Sequence, residues 1–231
     1  ADFVLSFGSD FLSSWISQVR HNRGYGEFRQ GNTSRGKLVQ VEPRYSMTAA
    51  NADEWIPINP GYEGILALSI AGVIIEQGLS TNLSEEIRNS IYDALGEFSD
   101  LEKAAAATGV AKERIKEIAE QFAVPGRRSL AIGGGSAAAH TNGTFNLSAI
   151  YALNYLVDSV NQEGGLVFNP ASPGELGNVP SSAAGASFDA WEELVRDMNN
   201  GQVKLLLVKD ANLVHGLPKS LGFEDAVSQV P

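Results

Sequence analysis

The strand-like run Lys37-Leu-Val-Gln-Val41 passes directly into Glu42-Pro-Arg44. A chain that leaves a buried, β-rich segment and at once presents a carboxylate, a proline and an arginine puts charge at the carboxyl end of a strand. That is where open α/β sheets bind ligands. A second segment, Asn51-Ala-Asp-Glu-Trp-Ile-Pro-Ile-Asn-Pro-Gly-Tyr-Glu-Gly64, then delivers Glu63 through a Pro-Gly turn to the start of a long apolar helix. Two carboxylates on neighbouring loops suit a ribose and a purine edge.

The rest of the chain repeats the alternation. Phe3–Phe7, Leu38–Val41, Ser129–Ile132 and Val203–Val208 read as the main strands, and Ile56-Pro-Ile58 as a short edge strand because of its proline. Helices are expected over about Phe11–Arg20, Gly64–Gln77, Ser84–Gly96, a short stretch from Asp100, Thr108–Ala123, Asn142–Val160, Asp189–Asn199 and Phe223–Val230. In the fifth of these, Ile115, Ile118, Ala119 and Phe122 share one stripe. His21–Gly36, polar and glycine-containing, reads as a long loop. Strands alternating with helices predict an α/β fold with a mostly parallel sheet, helices on both faces and right-handed crossovers, of the dinucleotide-binding type. We expect the α/β domain over 1–165 and a Gly/Pro/Ser-rich excursion over 166–188. A return strand and helix over 189–231 would complete the domain or begin its continuation. Both ends of the chain look cut, as in a fragment of a longer protein.

Charge excludes one partner class. The chain has 17 basic and 27 acidic residues, a net charge of −10, whereas nucleic acid requires a basic face. With no cysteine, disulfides, thiol catalysis and iron–sulfur ligation are excluded within this segment. No apolar run reaches the roughly 20 residues that span a bilayer.

Three constellations carry the chemistry. Gly8-Ser9-Asp10 and Gly133-Gly134-Gly135 each follow a buried strand. Such turns expose backbone N–H groups to a pyrophosphate, although any strand-to-helix turn favours glycine. There is no G-x-G-x-x-G after the first strand, which disfavours an ordinary NAD site. Glu42 lies 34 residues past Gly8, beyond the usual spacing of about 20 for a ribose-binding acid. It can bind ribose or pair with Arg44. Glu63 can match the paired N–H donors of guanine, or can be an acid favoured in a helix first turn. The histidines at 21, 140 and 215 are too scattered for a metal site.

These segments together resemble the molybdopterin-dinucleotide oxidoreductases, the family of dimethyl sulfoxide reductase and formate dehydrogenase. That family carries Gly-x-Asn-Pro after a strand, then a strand ending in Asp-Pro-Arg, then Ala-Asp-x-Trp-Leu-Pro-Ile-x-Pro-Gly-Thr-Asp before a long helix. Here the segments are Phe7-Gly-Ser-Asp10, Val41-Glu-Pro-Arg44 and Ala52-Asp-Glu-Trp-Ile-Pro-Ile-Asn-Pro-Gly-Tyr-Glu63. Thr108-Gly-Val110, the Gly133 turn, Asn142-Gly143, Gly164-Gly165 and Leu205-Leu-Leu-Val-Lys-Asp-Ala-Asn212 fall in family order. The resemblance implies the middle, dinucleotide-fold part of a family member, with Gly8, Ser9, Asp10, Glu42, Arg44, Glu63, Gly133, Gly134 and Asn212 at the cofactor positions.

The departures fall on those positions. Asp10 puts a carboxylate where the family has asparagine, Asp210 and Leu213 replace glycine and proline around Asn212, and both family aspartates are lengthened to Glu42 and Glu63. A kept scaffold with drifting contacts resembles the B subunit of alternative complex III, the quinol-oxidising membrane complex of some bacteria. That resemblance implies no cofactor in this segment, no catalytic residue and no metal ligand, with iron–sulfur clusters in a ferredoxin-like part elsewhere. It also implies partners among the other subunits of a membrane redox complex and a peripheral place on the periplasmic side of a bacterial membrane. Trp15, Trp55 and the arginines 23, 29 and 35 are the candidate contacts. The alternative is a catalytic molybdenum or tungsten reductase or dehydrogenase that binds molybdopterin guanine dinucleotide, and a cytoplasmic location.

Overall fold

In the strand Phe3–Phe7 (β1), Phe3, Leu5 and Phe7 are fully buried on one face, and Val4 and Ser6 point to the other. The computed structural model describes residues 1–30, 35–80, 83–169 and 185–231. The first unit, Ala1–Asn169, is built on a sheet that β1 forms with Lys37–Val41 (β2), Glu54–Ile56 (β3) and Ser129–Gly133 (β4). The order is β3-β2-β1-β4 and every pairing is parallel. The mostly parallel α/β architecture expected from the alternation is therefore present.

Helices fill the crossovers: Gln18–Gln30 (α1), Met47–Asn51 (α2), Glu63–Glu76 (α3), Glu85–Leu95 (α4), Leu101–Thr108 (α5), Lys112–Phe122 (α6) and Gly143–Leu156 (α7). The α3 sequence Glu-Gly-Ile-Leu-Ala-Leu-Ser-Ile-Ala-Gly-Val-Ile-Ile-Glu is apolar all round because its whole length is inside; Leu66 to Ile75 are all buried. It packs with α6 and α7 on the face that carries Phe3, Leu5, Phe7, Val39, Val41 and Ala131. Asn154 of α7 clamps the outer strand: its amide accepts from Ala131 N and donates to Ala131 O, both at 2.9 Å. The short β3 lies at the other edge, just before Pro57.

Two expectations need correction. Phe11–Ser17 is a series of turns, and the helix occupies Gln18–Gln30, within the span read as a loop. Asp10 and Thr48 pin the start of this segment, because Leu12 N donates to Thr48 Oγ1 at 3.1 Å while Thr48 Oγ1 donates to Asp10. The helix forms despite Gly24 and Gly26 because His21, Tyr25 and Phe28, spaced i, i+4 and i+7, make a narrow stripe toward the sheet. Tyr25 and Phe28 join Phe11, Trp15 and Leu38 on the second sheet face.

The second unit, Pro170–Pro231, contains Phe188–Asn199 (α8), Leu213–Gly216 (α9) and Phe223–Val227 (α10) around Val195, Met198, Phe223 and Ala226. Val203–Val208, read as a main strand, pairs with no strand among the described residues, and Leu205 and Leu207 are exposed. β-propensity alone does not make a strand without a partner. Most of the expected 166–188 excursion, residues 170–184, lies outside the described residues.

Candidate functional site

Parallel pairing with matched register brings the four strand ends to one level. Phe7 pairs with Val41 and Gly133, and Val41 with Ile56. Gly8 N donates to Val41 O at 2.9 Å, Glu42 N to Ile56 O at 3.2 Å and Gly134 N to Phe7 O at 3.1 Å. Each candidate turn thus continues directly from the ladder. Gly8, Ser9, Asp10, Glu42, Arg44, Gly133 and Gly134 are gathered at this edge, and Glu63 opens α3.

The carboxylates Asp10, Glu42 and Glu63 are 7%, 1% and 0% exposed. Buried acids need partners, and two of the three find them on α2. Asp10 Oδ1 accepts from Thr48 N at 3.1 Å and Thr48 Oγ1 at 2.8 Å. Glu42 Oε1 accepts from Ser46 N at 3.0 Å, and Ser46 Oγ, the N-cap, accepts from Ala49 N at 3.2 Å. The first-turn N–H groups that a helix cannot satisfy by itself are therefore met by both acids. Glu42 is not paired with Arg44, one of its two sequence readings: Arg44 Nη2 lies 3.5 Å from Asp10 Oδ2. Trp55 Nε1 donates to the Glu42 carbonyl at 3.1 Å, so Trp55 braces the same turn.

The glycine turns press on one another. Gly8 has φ +66°, and a Cβ there would collide with Ser136 Oγ and lie 2.7 Å from both Ala137 N and Gly134 O. Gly135 is in turn pressed against the Gly8 carbonyl. The space beside Gly8 is filled by protein, and neither turn opens on the N-terminus of a long helix. Residues 9–17 are non-helical, and Gly135–Ala138 is a four-residue 3-10 turn. A pyrophosphate needs open N–H groups and positive potential; here the buried Asp10 carboxylate stands beside the turn. That carboxylate does not suit the pyrophosphate of a molybdopterin dinucleotide. Ser6 Oγ, Ser9 Oγ, Gln40 Oε1 and Ser136 Oγ are buried nearby without hydrogen-bond partners among the described residues.

Glu63 differs. Asn146 Nδ2 reaches its Oε2 at 3.4 Å, and its Oε1 has no hydrogen-bond partner among the described residues. Burial raises the Glu63 carboxyl above its ordinary value, against the opposing pull of its own N–H, of His140 and of the Gly61 N–H. Asn146 also accepts from Gly64 N at 3.1 Å and donates to Ala137 O at 3.0 Å, so one amide ties α3, α7 and the Gly135–Ala138 turn together. Asn142 adds a bond to Gly61 O at 2.8 Å. Sequence reading missed Thr48 and Asn146. The signal for Asn146 was its place on the apolar stripe of α7 with Ile150 and Leu153.

The remaining candidates lie elsewhere. Asn212 caps α9, accepting from His215 N at 3.3 Å. Arg29 and Arg35 both pair with Asp53, the latter at 3.1 Å, and Arg23 lies 3.5 Å from Glu27. Trp15 packs at 6.3 Å from Phe11 and 5.6 Å from His21. Among the described residues no helix is long and apolar enough to cross a membrane, and no group of three or more His, Asp or Glu could hold a metal ion.

The fold and the strand-end site define a dinucleotide-binding-like α/β domain whose two glycine turns pack on each other and whose strand-end acids Asp10 and Glu42 cap a helix. The molybdopterin oxidoreductase family model matches residues 1–218, and the chain belongs to that family. It is 30% identical over 234 residues to the menaquinone reductase, molybdopterin-binding-like subunit of Nitratidesulfovibrio vulgaris, covering 100% of this chain and 33% of that protein. It is 32% identical over 170 residues to the molybdopterin-containing subunit of arsenate respiratory reductase from Chrysiogenes arsenatis, covering 62% of this chain and 20% of that one. The solved structure of acetylene hydratase from Pelobacter acetylenicus shares the fold, with a TM-score of 0.55 at 23% identity over 68% of this chain and 21% of that one. The chain thus spans a third or less of the length of these proteins.

Proposed function

We propose that this domain is a cofactor-free structural part of a quinone-linked respiratory complex, of the quinol-oxidising kind found in alternative complex III. The observation that carries the reading is the use of Asp10 and Glu42 as caps for α2, with Arg44 drawn to Asp10. Asp10 Oδ1 and Glu42 Oε1, engaged by buried N–H groups of the protein, have less acceptor capacity left for a ribose. The full-length match to a subunit named molybdopterin-binding-like in a menaquinone reductase supports the same assignment. On this reading the domain carries no catalytic residue and acts by holding other subunits in register, including an iron–sulfur, ferredoxin-like part, peripheral to the membrane on its periplasmic side.

One observation favours the catalytic alternative. Glu63 keeps a buried, unpartnered carboxyl oxygen at the position that the family resemblance assigns to guanine. The test is pterin fluorescence after oxidation, together with molybdenum and tungsten analysis, on the full-length protein. The structural reading expects neither pterin nor metal. Stoichiometric amounts of both would overturn it and make the domain a molybdopterin guanine dinucleotide site. Quinol oxidation by the purified complex tests the direction of electron flow.

A further inference from the structure

The two faces of the sheet are covered unequally. One is closed by α3, α6 and α7. The other carries Val4, Leu38, Leu130 and Ile132, and among the described residues is overlaid by the Phe11–Trp15 turns, by Tyr25 and Phe28 of α1 and by Ala52. Between them lies a cleft of about 600 Å³. Parallel sheets are ordinarily buried on both faces, yet Val4, Leu130 and Ile132 are only half-buried here. On the same stretch as the cleft wall, Ile16 and Val19 are 105% and 83% exposed. Exposed apolar patches with a polar rim mark interaction sites, and this one runs past its cleft along Ile16 and Val19, beyond the reach of a small ligand seated in the cleft. The rim is basic: Arg20 has no ion-pair partner among the described residues, and Arg23 has only the exposed Glu27.

We propose that this cleft seats an amphipathic helix of the same polypeptide, from outside these 231 residues. The relative that matches the chain throughout is about three times as long, so such a segment has ample chain to come from. The helix would lay apolar side chains on Val4, Leu130, Ile132 and Trp15, and place carboxylates against Arg20 and Arg23. A second copy of the domain suits the site less well. It would set the same arginines against each other and a net charge of −10 against −10.

The experiment places the photo-crosslinker p-benzoylphenylalanine at Arg23 in the full-length protein, with Glu27 as a second position should the first variant fail to fold. Peptides are then mapped by mass spectrometry. The expected product is an intramolecular cross-link, independent of protein concentration, to one peptide outside residues 1–231. Arg20→Glu should lower its yield several-fold, whereas Arg20→Lys should preserve it. A cross-link to a second copy, to a different subunit or within residues 1–231 would overturn the proposal. So would the absence of any cross-link at both positions.

Discussion

Replacing Asp10 tests directly whether the strand-end acids serve the fold. In Asp10→Ala, Thr48 N and Thr48 Oγ1 lose a shared, buried, charged acceptor. Hydrogen bonds to charged groups are each worth about 1.5–3 kcal/mol. The Thr48 hydroxyl still accepts from Leu12 N, so part of the network survives. The expected cost is about 3 kcal/mol. Asp10→Asn keeps an acceptor oxygen and loses only the charge. The Arg44 side chain is 70% exposed, and ion pairs of that kind contribute at most about 1 kcal/mol, so Asp10→Asn and Arg44→Ala should each cost about 1 kcal/mol or less. Equilibrium urea unfolding, followed by tryptophan fluorescence, measures all three. A double-mutant cycle of Asp10 with Arg44 should give a small coupling, and one of Glu42 with Arg44 should give none. If Arg44→Ala costs as much as Asp10→Ala, the ion pair and not the cap holds the turn. If Asp10→Ala costs under about 1 kcal/mol, the acid does not pin the loop to α2, and the structural reading loses its main support.

Gly8→Ala should destabilise by more than about 2 kcal/mol, because it adds a backbone collision to a left-handed φ of +66°. Gly126→Ala, at φ +74° with open space around it, should cost only the 1–2 kcal/mol of its conformation; equal losses in thermal melts would refute the closed turn. Burial raises the Glu63 carboxyl, so its contribution is complete below the ordinary value of 4.5 and declines as pH rises through that value toward the raised one. Glu63→Gln should therefore gain on the native protein between pH 4 and pH 7 in urea melts, and a constant difference would refute this. For Asp53, burial raises the pKa, but the bonds from Arg29 and Leu38 N and the charges of Arg29 and Arg35 outweigh it and hold the group below 3.8. Asp53→Asn should cost about 1–3 kcal/mol at pH 7, a difference that shrinks progressively as pH falls from 3.8 through the depressed native value; a loss that does not change with falling pH would contradict it.

The sheet was legible because its strands are short apolar runs bounded by glycine or charge, and α3 and α6 because one is apolar throughout and the other carries a clean stripe. Helix α1 was hidden: three aromatic rings among arginines and glycines are too thin a stripe to outweigh its polar composition. The run Val203–Val208 misled in the opposite sense, since Lys204-Leu-Leu-Leu-Val208 has strand composition but a strand exists only through its partner. The strand-end acids were legible as a group, because a carboxylate following a buried strand leaves few places to go. What each acid bonds to was not legible. Their partners, Ser46 and Thr48, are an ordinary serine and threonine whose backbone N–H groups matter only once α2 has folded over the strand ends.

On the proposed structural reading, that geometry makes the loss of ligand contacts at this edge and the gain of structural ones the same event. Where the family pattern has asparagine, Asp10 brings a charge that is tolerable in a buried turn only if it is paired, and Thr48 N, Thr48 Oγ1 and Arg44 pair it. Thr48 N and Thr48 Oγ1, each donating to Asp10, are not free to donate to a phosphate. Glu42 repeats the exchange one strand away, where its carboxylate meets Ser46 N. Behind both, Gly8 packs so closely on Gly134 and Ser136 that no Cβ fits there. On the same reading, restoring asparagine at position 10 would remove the repulsive charge but leave Glu42 held by Ser46 N and Thr48 still bonded to position 10, so the single reversion Asp10→Asn should not bring pterin into the full-length protein.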